Sequence, residues 1–135
     1  MNFLRCGMIS ICLLALTSGC KRTHEPAAQA APARSEQRIA EVRESLVRQN
    51  PSAIVGPVVE ALPAKRLAAI ADVPVEQFRR GDIITFVNTN VDVIDTGRVV
   101  NITKDQVHVR YDTPGPGQRE PKVGDLGVLV VALKH

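Results

Sequence analysis

The sequence predicts a mainly β domain with N-terminal helices, and three observations within residues 81–133 support the β assignment. Apolar and polar residues alternate with a period of two at 107–112, which is typical of a strand with one buried face. Two strand-like runs flank Lys104-Asp105, as the arms of a hairpin would. Gly-Asp precedes an apolar run twice, at Gly81-Asp82 and Gly124-Asp125, and therefore predicts a turn into a strand at each place.

The segment at residues 35–80 predicts helices rather than strands. Ser35 is a candidate N-cap of a helix that continues to about Gln49, where Asn50-Pro51 would end it. The helix has a narrow apolar stripe formed by Ile39, Val42 and Leu46. A helix with so narrow an apolar stripe is not stable alone in water. We therefore expect the stripe to pack either on this domain or on a partner chain.

Prolines divide the chain after that helix. Because proline is tolerated in the first turn of a helix but not in its middle, we predict short helical pieces at 57–61 and 63–71. Residues 75–80 predict a further turn in which Phe78 is the buried residue. The helical region therefore extends to residue 80, where the β domain at 81–135 begins.

Four or five strands are predicted in the β domain: 83–87, 97–103, 106–112 and 126–133, with 91–94 as the fifth. The run at 126–133 is almost continuously apolar, which predicts burial on both faces. Short strands with a Gly-Asp entry and a central hairpin resemble an SH3-like β-barrel. The resemblance covers residues 81–133, and an OB-like or other small open barrel is the alternative.

Residues 1–19 have the pattern of a secretory signal, in which Arg5 precedes an uncharged run that reaches Cys20. That run of about 15 residues is shorter than the roughly 20 that a membrane-spanning helix needs. Its end, Leu-Thr-Ser-Gly-Cys at 16–20, resembles the lipobox of bacterial lipoproteins, in which small residues precede a cysteine that receives diacylglycerol. Thr17 departs from the usual leucine, which stands one place earlier here.

The lipobox resemblance implies acyl chains, palmitate among them, on Cys20, and a protein anchored in the cell envelope. Lys21 follows the cysteine, whereas Asp at that place tends to mark inner-membrane retention, so the resemblance favours the outer membrane facing the periplasm. Residues 20–34 then form the lipidated cysteine and a tether. The alternative is an ordinary cleaved signal with an incidental cysteine. No other cysteine follows residue 19, so such a mature chain forms no internal disulfide.

Composition argues against several classes of function. Loss of residues 1–19 removes one cation, Arg5, and lowers the formal net charge from +3 to +2, which is too small to suggest a polyanion such as nucleic acid. The aromatic residues after the signal are Phe78, Phe86 and Tyr111. Three scattered rings do not predict a polyproline-binding groove or a base-stacking surface.

Motifs that resemble known sites have simpler explanations. Residues 88–95 alternate oxygen ligands as a calcium loop does, but valines stand where that loop has its glycine and its final glutamate, so we expect a polar connection. Arg80-Gly81-Asp82 matches an adhesion tripeptide but coincides with a predicted turn. The histidines, at 24, 108 and 135, have no metal-ligand spacing. We therefore predict no catalytic, cofactor or metal residues.

The sequence predicts a non-enzymatic, membrane-anchored envelope lipoprotein. Its small β domain is expected to contact another envelope protein, or to take part in envelope assembly. The alternative is a binding module for an envelope ligand such as peptidoglycan or a small peptide. An exposed apolar surface would favour the first function, whereas a polar cleft between the helices and the barrel would favour the second.

Overall fold

The computed structural model describes residues 27–131. The predicted signal and the lipidation site Cys20 lie outside the described residues, as do the first part of the tether and residues 132–135. Within the described part, six antiparallel strands close into a barrel in the order β1-β2-β5-β4-β3-β6. They follow one helix, α1 (Ala27–Gln49), and are β1 (Ala53–Leu62), β2 (Leu67–Ile70), β3 (Ile83–Val87), β4 (Val93–Ile102), β5 (Val107–Tyr111) and β6 (Leu126–Val130).

Alternate residues of β3 and β5 face the barrel interior, as the alternation of apolar and polar residues predicted. Val107, Val109 and Tyr111 point into the barrel and are almost fully buried, as are Ile84 and Phe86 of β3. The rings of Phe86 and Tyr111 meet edge to face with centroids 6.3 Å apart. The predicted hairpin of β4 and β5 and the predicted strand at 83–87 are therefore confirmed. The closed barrel is compatible with the expected SH3-like or OB-like architecture.

Leu126, Gly127 and Leu129 of β6 are buried and Val128 is half-buried, as its continuous apolar sequence predicted, whereas Val130 at the end of the strand is exposed. The strand lies between β1 and β3. On the inner face, a Cβ at Gly127 would overlap Cδ1 of Ile70, so a larger residue there would require the end of that side chain to shift. On the outer face, Leu126 is covered by α1. The strand ends at Val130, before the predicted limit at residue 133.

Helix α1 packs on the outer face of its own barrel. The predicted stripe of Ile39, Val42 and Leu46 meets residues of β1, β3 and β6: Ala53, Val55, Val87, Leu126 and Val128. Arg43 reinforces this contact, because its Nη2 donates a hydrogen bond of 2.7 Å to the carbonyl of Asp72. The sequence left open whether the stripe packs on this domain or on a partner chain, and in the structure it packs on this domain.

The helix begins earlier than predicted, at Ala27 rather than at Ser35, so residues 27–34 are helical rather than part of a tether. Alanine has the highest helix propensity, and five alanines fall within 27–33. Pro32 is the sixth residue of the helix, where it removes one backbone hydrogen bond and its ring crowds the carbonyl four residues earlier. Ser35 is not an N-cap, because its hydroxyl donates back to the carbonyl of Pro32 at 2.7 Å.

The predicted helical pieces at 57–61 and 63–71 are wrong, since strands β1 and β2 occupy this region. β1 pairs with β6 through residues 53–57 and with β2 from residue 58 onward, so Pro57 lies where the strand changes partner. A missing N–H is tolerated at that point. Pro63 opens a short 3-10 turn, Pro63–Lys65, between the two strands. β-branched residues in β1 favour the extended conformation.

Two smaller predictions have mixed outcomes. Phe78 is buried in the core after a 3-10 turn at Val75–Gln77, as predicted. The strand predicted at 91–94 is not separate, because Val93 begins β4 itself. Residue Val91 has a positive φ of 69° in the turn before it. That conformation is rare for a β-branched residue and keeps Val91 out of the strand.

Candidate functional site

An open apolar groove of about 970 Å³ lies between α1 and the barrel. One wall is α1 from Ser35 to Val47, and the other is formed by β1 around Val59 and by the turn at Val123 and Gly124. Val47, Val59 and Val123 are all exposed, and Val123 retains 62% of its accessible surface. These three valines lie along one groove, which makes the groove a candidate contact surface.

The turn that presents Val123 is held rigidly. Gly124 has a positive φ of 94°, and the N–H of Asp125 donates to the carbonyl of Lys122 at 3.0 Å. The Asp125 carboxylate accepts the N–H of Lys122 at 2.8 Å. Val58 ties the turn to β1, since it exchanges backbone hydrogen bonds with Gly124 and Asp125. The predicted Gly-Asp turn is therefore confirmed, and it leaves Val123 at its tip.

An ion pair supports the same turn from the loop before it. Asp125 is 3% exposed, and its two oxygens accept Nη1 and Nη2 of Arg119 at 2.7 Å each. These hydrogen bonds raise the pKa of Arg119 above its usual value, in spite of the partial burial that opposes the charge. A bidentate pair of this kind fixes both position and direction, so the groove wall at Val123 is preorganised.

The second Gly-Asp turn has the same local geometry. Gly81 has a φ of 93°, the Asp82 N–H donates to the carbonyl of Arg79 at 3.1 Å, and Asp82 Oδ2 accepts the Arg79 N–H at 2.7 Å. The carboxylate of the Arg80-Gly81-Asp82 tripeptide is therefore used by its own turn. This geometry supports the structural explanation of that tripeptide.

The other polar motifs are not assembled into a site. Asn88 Oδ1 accepts the N–H groups of Asn90 and Asp92 at 2.8 and 3.0 Å, which makes the segment a local turn. Asp95 lies apart from it, buried on β4. Among the described residues, no three His, Cys, Asp or Glu side chains come together as a metal would require. His108 lies on β5 opposite Asn101, while His24 and His135 are outside the described range.

One buried polar pair was not foreseen. The hydroxyl of Tyr111 and Oδ2 of Asp95 are both buried, and neither has a hydrogen-bond partner among the described residues. Burial is the main cause that raises the pKa of Tyr111 above 10.0, with smaller contributions from the charges of Glu120 and Asp95. The alternation in β5 predicted that Tyr111 points inward. No local pattern placed Asp95 there, because it lies just after a bulge in the pairing with β3.

The groove was also missed by the sequence analysis. Its valines come from three separate segments, and nothing within each segment marks them as neighbours. The described residues contain no helix of the length and apolar character that crosses a bilayer. The fold and groove together define a small closed β-barrel with a docked helix and an open apolar groove. The chain matches no protein-family model and no curated protein sequence.

Proposed function

We propose that this chain is a non-enzymatic bacterial envelope lipoprotein that presents a small SH3-like barrel for protein–protein contact. Acyl chains on Cys20 anchor it in a membrane, with the outer membrane facing the periplasm favoured over the inner membrane by Lys21. The groove beside α1 is the contact surface. The observation that supports this function is the apolar character of the groove, along which Val47, Val59 and Val123 are exposed.

The partner segment that best fits the groove is an amphipathic helix. The α1 wall from Ser35 to Val47 spans about 18 Å, or roughly three helical turns, at 1.5 Å per residue. Aliphatic side chains at helical spacing would bury Val59 and Val123. Charges of both signs line the rim, including Glu36, Arg38 and Glu44, and would pair with the polar edges of such a helix.

The alternative is a binding module for peptidoglycan or a small peptide. Such a site needs converging polar groups at its floor. The exposed lining of this groove is mainly apolar, and Arg43 already donates a hydrogen bond to the Asp72 carbonyl. This arrangement favours a protein partner over a polar ligand.

A photo-cross-linking amino acid at Val123 tests the contact in the intact envelope. Val93 is the control position, because it is equally exposed, at 61%, and lies outside the groove. We expect Val123 to capture an identified peptide with aliphatic residues at spacings of three and four. Val59→Glu should abolish capture without lowering stability. A muropeptide product would support the ligand alternative instead, and a product with a second copy of this chain would contradict a separate partner.

The anchor is tested independently. Cys20→Ala should abolish acylation and leave the precursor uncleaved or the protein released from the membrane. Detergent fractionation with mass analysis of the N-terminus measures both. An unmodified Cys20 in the wild-type protein, or a mature chain that begins elsewhere, would refute the lipoprotein assignment.

A further inference from the structure

The barrel wall has a gap between β3 and β6. These strands pair with each other only through residues 85–87 of β3 and 126–128 of β6. Within the described part of the chain, Ile83 and Ile84 pair only with β4, while Leu129 and Val130 pair only with β1. A groove of about 830 Å³ opens where the two strands separate. Each strand therefore presents a short free edge, which can pair with a strand of another chain.

Aliphatic side chains flank the free edges. Ile83 is 55% exposed and Val130 is 58% exposed, and Val131 beside it is also exposed. All three line the groove together with the buried Leu129. Helix α1 packs against Val128 of the same strand but leaves Val130 exposed. The apolar outer face of β6 thus continues beyond the part that α1 covers.

Charges of both signs line the same groove. Glu76 and Asp82 contribute two carboxylates, and Arg79 and Arg98 contribute two guanidinium groups. None of the four side chains has an oppositely charged group within 4.0 Å among residues 27–131. The groove is therefore neutral as a whole, and its opposite charges do not pair with each other.

Hydrogen bonds within the turn leave these charges available. Asp82 Oδ2 accepts the N–H of Arg79 at 2.7 Å, and Arg98 Nη1 donates to the carbonyl of Gly81 at 3.5 Å. A carboxylate has a second oxygen, and a guanidinium group has five N–H donors. Both side chains can therefore still bind an opposite charge from outside the chain.

We propose that this surface, which we call the β3–β6 gap, is a contact between two copies of this chain. A two-fold axis places the same surface on both sides of an interface, so that surface must be complementary to itself. Equal numbers of acids and bases meet this requirement, because the carboxylates of one copy face the guanidinium groups of the other. A partner of a single charge sign would instead oppose two of the four charges.

The contact should be weak. Ten residues line the groove in each copy, whereas a standard protein–protein interface has about 20–30 residues on each side. We therefore expect an association that depends on protein concentration rather than a permanent dimer. The inference does not depend on the groove beside α1 or on acylation of Cys20.

A mixture of full chains labelled with light and heavy nitrogen isotopes tests the contact in nonionic detergent. A photo-cross-linking diazirine amino acid replaces Ile83, and peptide mass spectrometry identifies each product. We expect cross-links that join a light peptide to a heavy one, with a yield that rises with protein concentration. Val93 is the control position, because it is 61% exposed and lies outside this groove. Cross-links confined to one copy, or equally frequent from Val93, would overturn the proposal.

Two charge variants test whether the surface is complementary to itself. Glu76→Arg makes the groove net positive, and Arg98→Glu makes it net negative. Each variant alone should lose light–heavy cross-links roughly ten-fold, since like charges then face each other across the two-fold axis. An equal mixture of the two variants should restore the wild-type yield, because the positive groove of one copy faces the negative groove of the other.

The thermal midpoint of each variant is the control for folding. Neither Glu76 nor Arg98 forms an ion pair in the described part of the chain, so we expect both midpoints to match the wild type. If the midpoint of Arg98→Glu falls, Arg79→Glu supplies the negative groove instead. Folded variants that each associate as the wild type does, or a mixture that fails to restore the cross-links, would overturn the proposal.

Discussion

Two carboxylates are buried in the barrel, and they differ in how their charge is compensated. Asp125 accepts two hydrogen bonds from Arg119 and one from the N–H of Lys122. Asp95, which is 4% exposed, accepts one from the N–H of Thr96 at 2.7 Å, and its second oxygen has no partner among the described residues. A buried charge is expensive unless it is paired. The comparison therefore predicts that Asp125 stabilises the barrel, whereas Asp95 does not.

The partners of Asp125 come from short-range chain geometry. Lys122 begins the same turn, and Arg119 is six residues away in the loop before it. Asp95 instead lies within strand β4, where its charge helps to raise the pKa of Tyr111 on the neighbouring strand β5, but the Tyr111 hydroxyl has no hydrogen-bond partner among the described residues. The local turn thus supplies hydrogen-bond donors to the Asp125 carboxylate, whereas packing between strands leaves one oxygen of Asp95 without a donor among the described residues.

The largest effect is expected for Asp125→Ala. It removes the charge partner of Arg119 and the acceptor of the Lys122 N–H. Hydrogen bonds to charged groups contribute about 1.5–3 kcal/mol each, but Arg119 is 41% exposed and would be partly rehydrated, so we expect a loss of about 2–3 kcal/mol. Urea unfolding followed by circular dichroism measures it. A loss below about 1 kcal/mol would mean that the ion pair adds nothing to the turn.

Asp82→Ala separates the turn from the ion pair. Asp82 makes the same hydrogen bond within its turn but forms no ion pair in the described part of the chain. We expect a loss of about 1 kcal/mol in the same unfolding measurement. The difference between the two losses in free energy of unfolding measures the contribution of the ion pair with Arg119. Equal losses would show that the turn alone accounts for the stability contributed by Asp125.

Asp95→Asn tests the uncompensated carboxylate. The amide retains an acceptor for the Thr96 N–H and removes a buried charge near Tyr111. We expect stability to stay the same or to increase by up to about 1 kcal/mol at neutral pH. Asp125→Asn, which removes a paired charge instead, is the matched control and should be destabilising. If Asp95→Asn is the more harmful of the two, Asp95 has a partner that this comparison overlooks.

Tyr111→Phe should have the smallest effect at neutral pH, below about 1 kcal/mol, because the hydroxyl makes no hydrogen bond in the described structure. The variant and the wild type should differ in how the free energy of unfolding depends on pH in alkaline solution. Burial raises the pKa of Tyr111 above 10.0 in the folded state, so the unfolded chain loses this proton first. The free energy of unfolding of the wild type should therefore fall as pH rises above about 10. Unfolding curves across this range should show a shallower fall for Tyr111→Phe, and parallel curves would contradict the pKa shift.

Much of the β domain was readable from the sequence because its signals are local. Alternation at 107–112 and the hairpin around Lys104 need no distant contact to be recognised. The Gly-Asp turns are likewise set within four residues, and both have the same φ and the same carboxylate hydrogen bond. The stripe on α1 was also visible, although the sequence left open which surface it would cover.

The error at β1 and β2 has a tertiary cause. Local sequence around Pro57 and Pro63 is compatible with short helices, because proline suits the first turn of one. These residues form strands rather than helices because β1 pairs with two different neighbours. The change of neighbour places Pro57 where no ladder hydrogen bond is needed. That pairing requires residues about 70 positions later in β6, so no window of sequence contains it.

The sequence by itself determined the periodic strands, the two turns and the apolar face of α1, since each depends on residues close together in the chain. Tertiary structure alone decided where that face docks, that Asp95 is buried, and which residues become neighbours on the surface. The groove joins Val47, Val59 and Val123. Barrel closure and helix docking create it, because they bring together segments that are far apart in the chain.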